Sequence, residues 1–228
     1  MRLLALDTST ESCSVALLLD DEMRLRAEIT DRSHAELVLP MVDELLAEAG
    51  LSLRNLDGIA FGRGPGAFTG LRIAAGVTQG LAFGADLKVA PVSSLAAVAA
   101  QVPGLPGELV LVCNDARMGE VYWGVFRLEA GGSVTVLLQE SVSPPDRVGE
   151  GAVPLSHAAG NALARHPGLA ERLAGQGLRL HEGLLPRADA VARLGARVIA
   201  SGEGVRADQA LPVYVRDDVA RPPRTPVT

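Results

Sequence analysis

Residues 62–72 read Gly-Arg-Gly-Pro-Gly-Ala-Phe-Thr-Gly-Leu-Arg, and this segment limits the fold more than any other. The short apolar run Gly58-Ile59-Ala60-Phe61 before it has the length of a buried strand. The stretch Leu71 to Phe83 after it is rich in Ala, Leu and Ile and long enough for a helix. Glycine lets a turn come close to another group, because it accepts positive φ without a Cβ clash. That group is a phosphate at the helix N-terminus or another backbone in a packed interface. Gly62-x-Gly64-x-x-Ala67 formally fits the dinucleotide fingerprint. The context argues against that fit: Pro65 sits inside the turn, and Asp86 precedes the next strand instead of following it. No Lys follows Gly70, so the turn is not a P-loop.

The pattern around this turn is mixed α/β. Leu3–Leu6, Cys13–Leu19 and Met23–Ile29 read as three strands, the last alternating apolar and charged residues. A helix follows, with Ser33 as its cap and Val38, Met41, Val42, Leu45, Leu46 and Ala49 at helical spacing. Gly50 suits its end, and Pro40 is expected to kink it or mark its true start. Val89–Val92 is a further strand, with a helix from Ser93 or Ser94 to Val102. Pro103–Gly107 reads as a joint. The opening pattern then returns: strands Leu109–Cys113, Glu120–Leu128 and Val134–Glu140, with Asn114-Asp115 after the first. Helices are expected near Asn161–Leu173 and Ala188–Ala200. The expected lobes are residues 1–102 and a reduced 108–216, with 217–228 as a flexible tail.

Charge and composition narrow the function. Formal net charge is −6, with a single lysine, Lys88, and scattered arginines, which is unlike a stand-alone nucleic-acid binder. The seven aromatic residues are too scattered for a base-stacking platform. No apolar run reaches a membrane span, and Asp7 and Glu11 interrupt any signal-like start, so a cytoplasmic chain is expected. Cys13 and Cys113 read as buried thiols in a reducing compartment.

Candidate chemistry is sparse. Asp7-Thr8-Ser9-Thr10 ends the first strand, where two-lobed ATPases hold phosphate through backbone N–H and hydroxyl groups. The alternative is an Asx-turn cap on a hairpin. Asp115 begins the matching turn in the second half. His34, His157, His166 and His181 show no metal-ligand spacing and read as surface or capping histidines. No Gly-x-Ser-x-Gly elbow is present. Gly70, Gly76, Gly80 and Gly84 would let a neighbouring helix come close, which suggests a helix–helix interface with a partner.

Five segments, in order along the chain, resemble the TsaB (YeaZ) family. They are Leu4–Thr10, Ser33–Met41, Gly64–Arg72, Ala116–Tyr122 and Pro212–Arg216. The resemblance implies an actin/Hsp70-like (ASKHA) fold, a duplicated βββαβα unit with a reduced second lobe. It implies a role in making threonylcarbamoyladenosine on tRNA beside the anticodon, as a non-catalytic paralogue of the metal-dependent transferase TsaD. Such chains are also labelled M22 peptidase homologues, but neither protease activity nor a metal is expected here. Ser94 and Val98 stand where TsaD carries its His-x-x-x-His ligands, and valine cannot ligate. The implied partners are a TsaD-like paralogue, a TsaE-like ATPase through the complex, tRNA indirectly, and a second copy when the chain is alone. Leu37, Met41, Leu45, Gly66, Phe68 and Arg72 are the expected interface residues. Asp7, Thr8, Ser9, Thr10 and Asp115 would be vestigial phosphate loops. No cofactor is expected on the isolated chain, with ATP or ADP admitted only at a partner interface. The rival is an independent ATP-binding ASKHA enzyme, with Asp7, Thr10 and Asp115 around Mg-nucleotide.

Overall fold

The computed structural model describes residues 1–30, 34–151 and 154–216. The expected cap Ser33 and the expected tail 217–228 lie outside them. Three antiparallel strands open the chain: β1 (Arg2–Asp7), β2 (Ser12–Leu19) and β3 (Glu22–Ile29). β4 (Gly58–Gly64) and β5 (Val89–Ser93) add in parallel, giving the order β3-β2-β1-β4-β5. The second sheet joins β6 (Leu109–Arg117), β7 (Glu120–Leu128), β8 (Val134–Ser143), β9 (His157–Gly160) and β10 (Arg179–Glu182). Its order, read from β8 as β8-β7-β6-β9-β10, repeats that of the first. Two sheets with one topology form the duplicated core that the sequence pattern suggested.

β1 is apolar throughout because both its faces are covered. Leu4 and Leu6 pack with Val38, Val42 and Leu45 of α1 (His34–Ala49) and Ala74 of α2 (Phe68–Ala85). Leu3 and Ala5 face Ala188, Val191 and Ala192 of α6 (Ala188–Ala200). The second sheet is covered likewise. Leu111 and Cys113 meet α4 (Ala162–Arg165) and α5 (Pro167–Gly175). Val110 and Val112 meet Leu95, Val98 and Ala99 of α3 (Ser94–Ala99). The lobes therefore exchange helices: α3 covers the sheet that follows it, and α6 returns to the sheet that opens the chain.

Some elements differ from expectation. Pro40 lies inside α1, which runs unbroken from His34 to Ala49. α2 starts at Phe68, not Leu71. The helix expected near Asn161–Leu173 is two, because Pro167 opens a new helix after His166 and has no N–H to continue the old one. β6 runs on to Arg117, and its turn uses positive φ at Arg117, Met118 and Gly119. Between β8 and β9 the described residues form only a 3-10 turn, Pro145–Arg147, where the first lobe has α1. That leaves the second lobe smaller.

Candidate functional site

The glycine turn between β4 and α2 packs on the β1–β2 hairpin loop. The Ala67 N–H donates to the Ser9 carbonyl at 2.7 Å, and the Thr8 hydroxyl donates to the Gly70 carbonyl at 2.7 Å. A Cβ at Gly70 would lie 1.9 Å from the Thr8 carbonyl, and one at Gly66 would lie 2.3 Å from that of Ser9. The close approach that these glycines permit is to the chain's own backbone.

Asp7, at the end of β1, is fully buried. Its Oδ1 accepts from the Ser9 N–H (2.9 Å) and the Ser9 hydroxyl (2.7 Å), the Asx-turn arrangement. Its Oδ2 has no hydrogen-bond partner among the described residues and lies against Gly62, where a Cβ would come within 1.8 Å. Burial pushes the Asp7 carboxyl up to about 6, against the pull of the two Ser9 bonds. Thr10 caps the same loop, its hydroxyl accepting from the Ser12 N–H at 3.3 Å.

Register identifies the counterpart of Asp7 in the second lobe. Leu3 pairs with Gly58 as Val110 pairs with His157, so Asp7 corresponds to Asn114 and not to Asp115. Asn114 is buried, and neither polar atom of its amide has a partner among the described residues. Asp115 is held by ion pairs to Arg165 (3.5 Å) and Arg117 (3.8 Å), and its N–H donates to Asn161 Oδ1 at 2.8 Å. Between the two hairpin loops lies a cleft of about 930 Å³, reached by Ser9, Glu11, Asn114 and Arg117. Asn161 and Arg165 of the second lobe grip Glu11 of the first, Arg165 at 3.1 Å.

The residues expected at a partner face separate. Phe68 and Arg72 are exposed at the start of α2, and Gly66 is half-buried. Leu37 and Met41 are half-buried against the first core. Leu45 is fully buried there, so it offers no surface, because α1 turns its Val38/Val42/Leu45 stripe inward. The helical spacing marked the stripe without telling the core side from the outer side. On α2, Gly76, Gly80 and Gly84 would each carry a Cβ into space free of other described atoms, and Phe83 beside them is 85% exposed. Sequence reasoning named these glycines but missed Phe83.

Ser94 and Val98 are fully buried, and Val98 packs in the α3 core. Among the described residues no group of three His, Cys, Asp or Glu side chains could hold a metal ion. His157 is a correction: it is neither surface nor cap but fully buried, with Nδ1 3.0 Å from His181 and Nε2 3.1 Å from Glu108. No described helix is long and apolar enough to cross a membrane.

A family model described as "TsaD: tRNA N6-adenosine threonylcarbamoyltransferase" matches residues 26–221. The Escherichia coli K12 tRNA threonylcarbamoyladenosine biosynthesis protein TsaB is 40% identical over 224 residues, 96% of either chain. This chain belongs to the TsaB family. YeaZ from Pseudomonas aeruginosa, 46% identical, superposes with a TM-score of 0.80 over 93% of this chain and 99% of that one. Component A of the Acidaminococcus fermentans (R)-2-hydroxyglutaryl-CoA dehydratase is 10% identical, with a TM-score of 0.53 over 88% of this chain and 99% of its own. At that identity the likeness is one of fold, and it places this TsaB-family chain in the two-lobed ASKHA architecture.

Proposed function

We propose that this chain works in tRNA threonylcarbamoyladenosine biosynthesis as a non-catalytic subunit that pairs with a TsaD-type transferase. The observation that carries this reading is the 40% identity to a protein named for that pathway, sustained along 96% of both chains. Geometry supports the passive role. The α2 N-terminus is engaged by the Ser9 carbonyl, Asp7 is capped beneath Gly62, and Val98 packs in the interior. The outer face of α2 fits a docking surface. Three glycines, one per turn, would let a partner helix approach closely, and Phe68, Arg72 and Phe83 supply anchors. A TsaE-type ATPase would join through the complex, tRNA would be gripped chiefly by the other subunit, and a second copy would cover the face when the chain is alone. ATP or ADP belongs to this reading only at a subunit interface.

The test is co-purification with the TsaD paralogue of the same organism. Gly80→Glu with Phe83→Asp should weaken the pair at least tenfold and lower modification of tRNA, with the circular dichroism unchanged. Full assembly and full modification with this double variant would remove the α2 face from the proposal. An independent ATP-binding enzyme is the second reading, favoured by the volume of the cleft, about 930 Å³. Calorimetry of the isolated chain with Mg-ATP separates the two, since tight binding with turnover supports only the second.

A further inference from the structure

The segment Leu211–Arg216 has no regular secondary structure, yet it is tied at both ends. At the first lobe the Val213 N–H donates to the Arg63 carbonyl at 2.7 Å. The Tyr214 ring lies 5.2 Å from that of Phe68, and its hydroxyl accepts from Arg72 Nε at 3.2 Å. The Arg72 guanidinium in turn sits 3.8 Å from the centre of the Phe68 ring, a cation–π contact. Two residues beyond Tyr214, Arg216 reaches the second lobe. Its guanidinium donates to the Ala116 carbonyl at 3.2 Å and pairs with Glu120, both on the β6–β7 hairpin. Val213, Tyr214, Val215 and Arg216 all line the interlobe cleft.

We propose that residues 211–216 are a strap that sets the opening of the cleft, by clamping the β6–β7 hairpin of the second lobe to the α2 N-terminus of the first. The lobes share the α3 and α6 layer, so a rigid-body rotation about that layer would change the cleft most at the hairpin loops. Such a rotation has to pull Arg216 off its carbonyl and carboxylate, or Tyr214 off Phe68 and Arg72. Arg63 with Glu140, and Glu11 with Asn161 and Arg165, also join the lobes. Glu11 and Asn161 line the cleft as well; the strap differs from these side-chain pairs in being a continuous run of backbone that joins the α2 N-terminus to the β6–β7 hairpin. Phe68 and Arg72 also belong to the α2 face described above, so docking there would be felt at the cleft. That consequence rests on the proposed function, whereas the clamp does not.

Pulsed dipolar spectroscopy on the full chain tests the clamp without any partner. Spin labels go on Ala47→Cys of α1 and Glu171→Cys of α5, both exposed. The natural thiols Cys13 and Cys113 are fully buried and should not compete. The wild-type distance distribution should be single and narrow. Arg216→Ala should broaden it and shift it by several ångströms. Glu120→Ala removes the ion pair from the other side, at a half-exposed position, and should do the same to a smaller degree. It carries the test if Arg216→Ala does not fold. Distributions that match the wild type in the folded variants would overturn the strap.

Discussion

One added methyl group has opposite consequences at two glycines of α2. In an exposed helix interior Gly→Ala gains about 1 kcal/mol, because alanine has fewer unfolded conformations to lose. Gly76 meets that condition, with open space where its Cβ would go, so Gly76→Ala should raise the urea midpoint of the isolated chain. Gly70 does not, since its Cβ would fall 1.9 Å from the Thr8 carbonyl. Gly70→Ala has to push α2 off the hairpin loop and should cost about 1–3 kcal/mol or more. Equal midpoints for the two variants would refute the backbone-on-backbone reading of the glycine turn. Asp7 gives a second prediction at this scale. Its folded carboxyl titrates at about 6, above the ordinary value, so the folded state binds the proton more tightly than the unfolded one. That contribution is complete below about pH 4 and is lost as pH rises through 6, a difference of about 3 kcal/mol. Asp7→Asn keeps an acceptor for Ser9 and does not titrate. Its stability relative to wild type should therefore rise between about pH 4 and 6, in paired urea melts, and level off above. A difference that stays constant across that range would show that Asp7 is not buried as a free carboxyl.

Secondary elements were legible where one period ran long enough to stand alone. The meander β1–β3, the strand–turn–helix of β4 and α2, and helix α6 carry their own apolar pattern. β9 and β10 do not. Each has four residues, β9 reads His-Ala-Ala-Gly without a branched side chain, and their pairing comes from β6, far away in sequence. The site divides in the same way. Asp7, Ser9 and the glycine turn announced themselves through local residue types. Asn114 emerged only once the parallel register showed which residue stands opposite Asp7, and Arg216 only once the chain had folded back across the cleft. His157 was misread for a related reason: its partners Glu108 and His181 come from the residue just before β6 and from β10, and no spacing reports them. Since His157 fixes β9 to both, His157→Ala should leave two polar groups without their partner and a cavity, at a cost of about 2–4 kcal/mol. Amide exchange should speed first in β9 and β10. A variant as stable as wild type would mean that the buried pair is incidental.

At the scale of the molecule, the exchange of helices makes each half depend on the other. The Leu3/Ala5/Ala16/Ala60/Ala90 face of the first sheet is covered by Ala188, Ala190, Val191 and Ala192, from the far end of the chain. The Val110/Val112/Phe126 face of the second is covered by Leu95, Val98 and Ala99, which precede it. Cutting within Pro103–Gly107 thus leaves residues 1–105 with a sheet stripped on one side and α3 without its seat. The remainder keeps α6 with no sheet to cover. Hydrophobic burial scales with area removed from water, so a fully uncovered sheet face forfeits far more than the few kcal/mol by which a domain of this size is stable. Neither fragment alone should show a cooperative thermal transition, whereas the two produced together should associate and recover one. The shared α3 and α6 layer is also where the lobes would rotate, so the contacts that hold the halves together would form the hinge whose opening the proposed strap limits. A first fragment that melted cooperatively by itself would show that α6 is an accessory to its sheet, and the two lobes would then be independent domains.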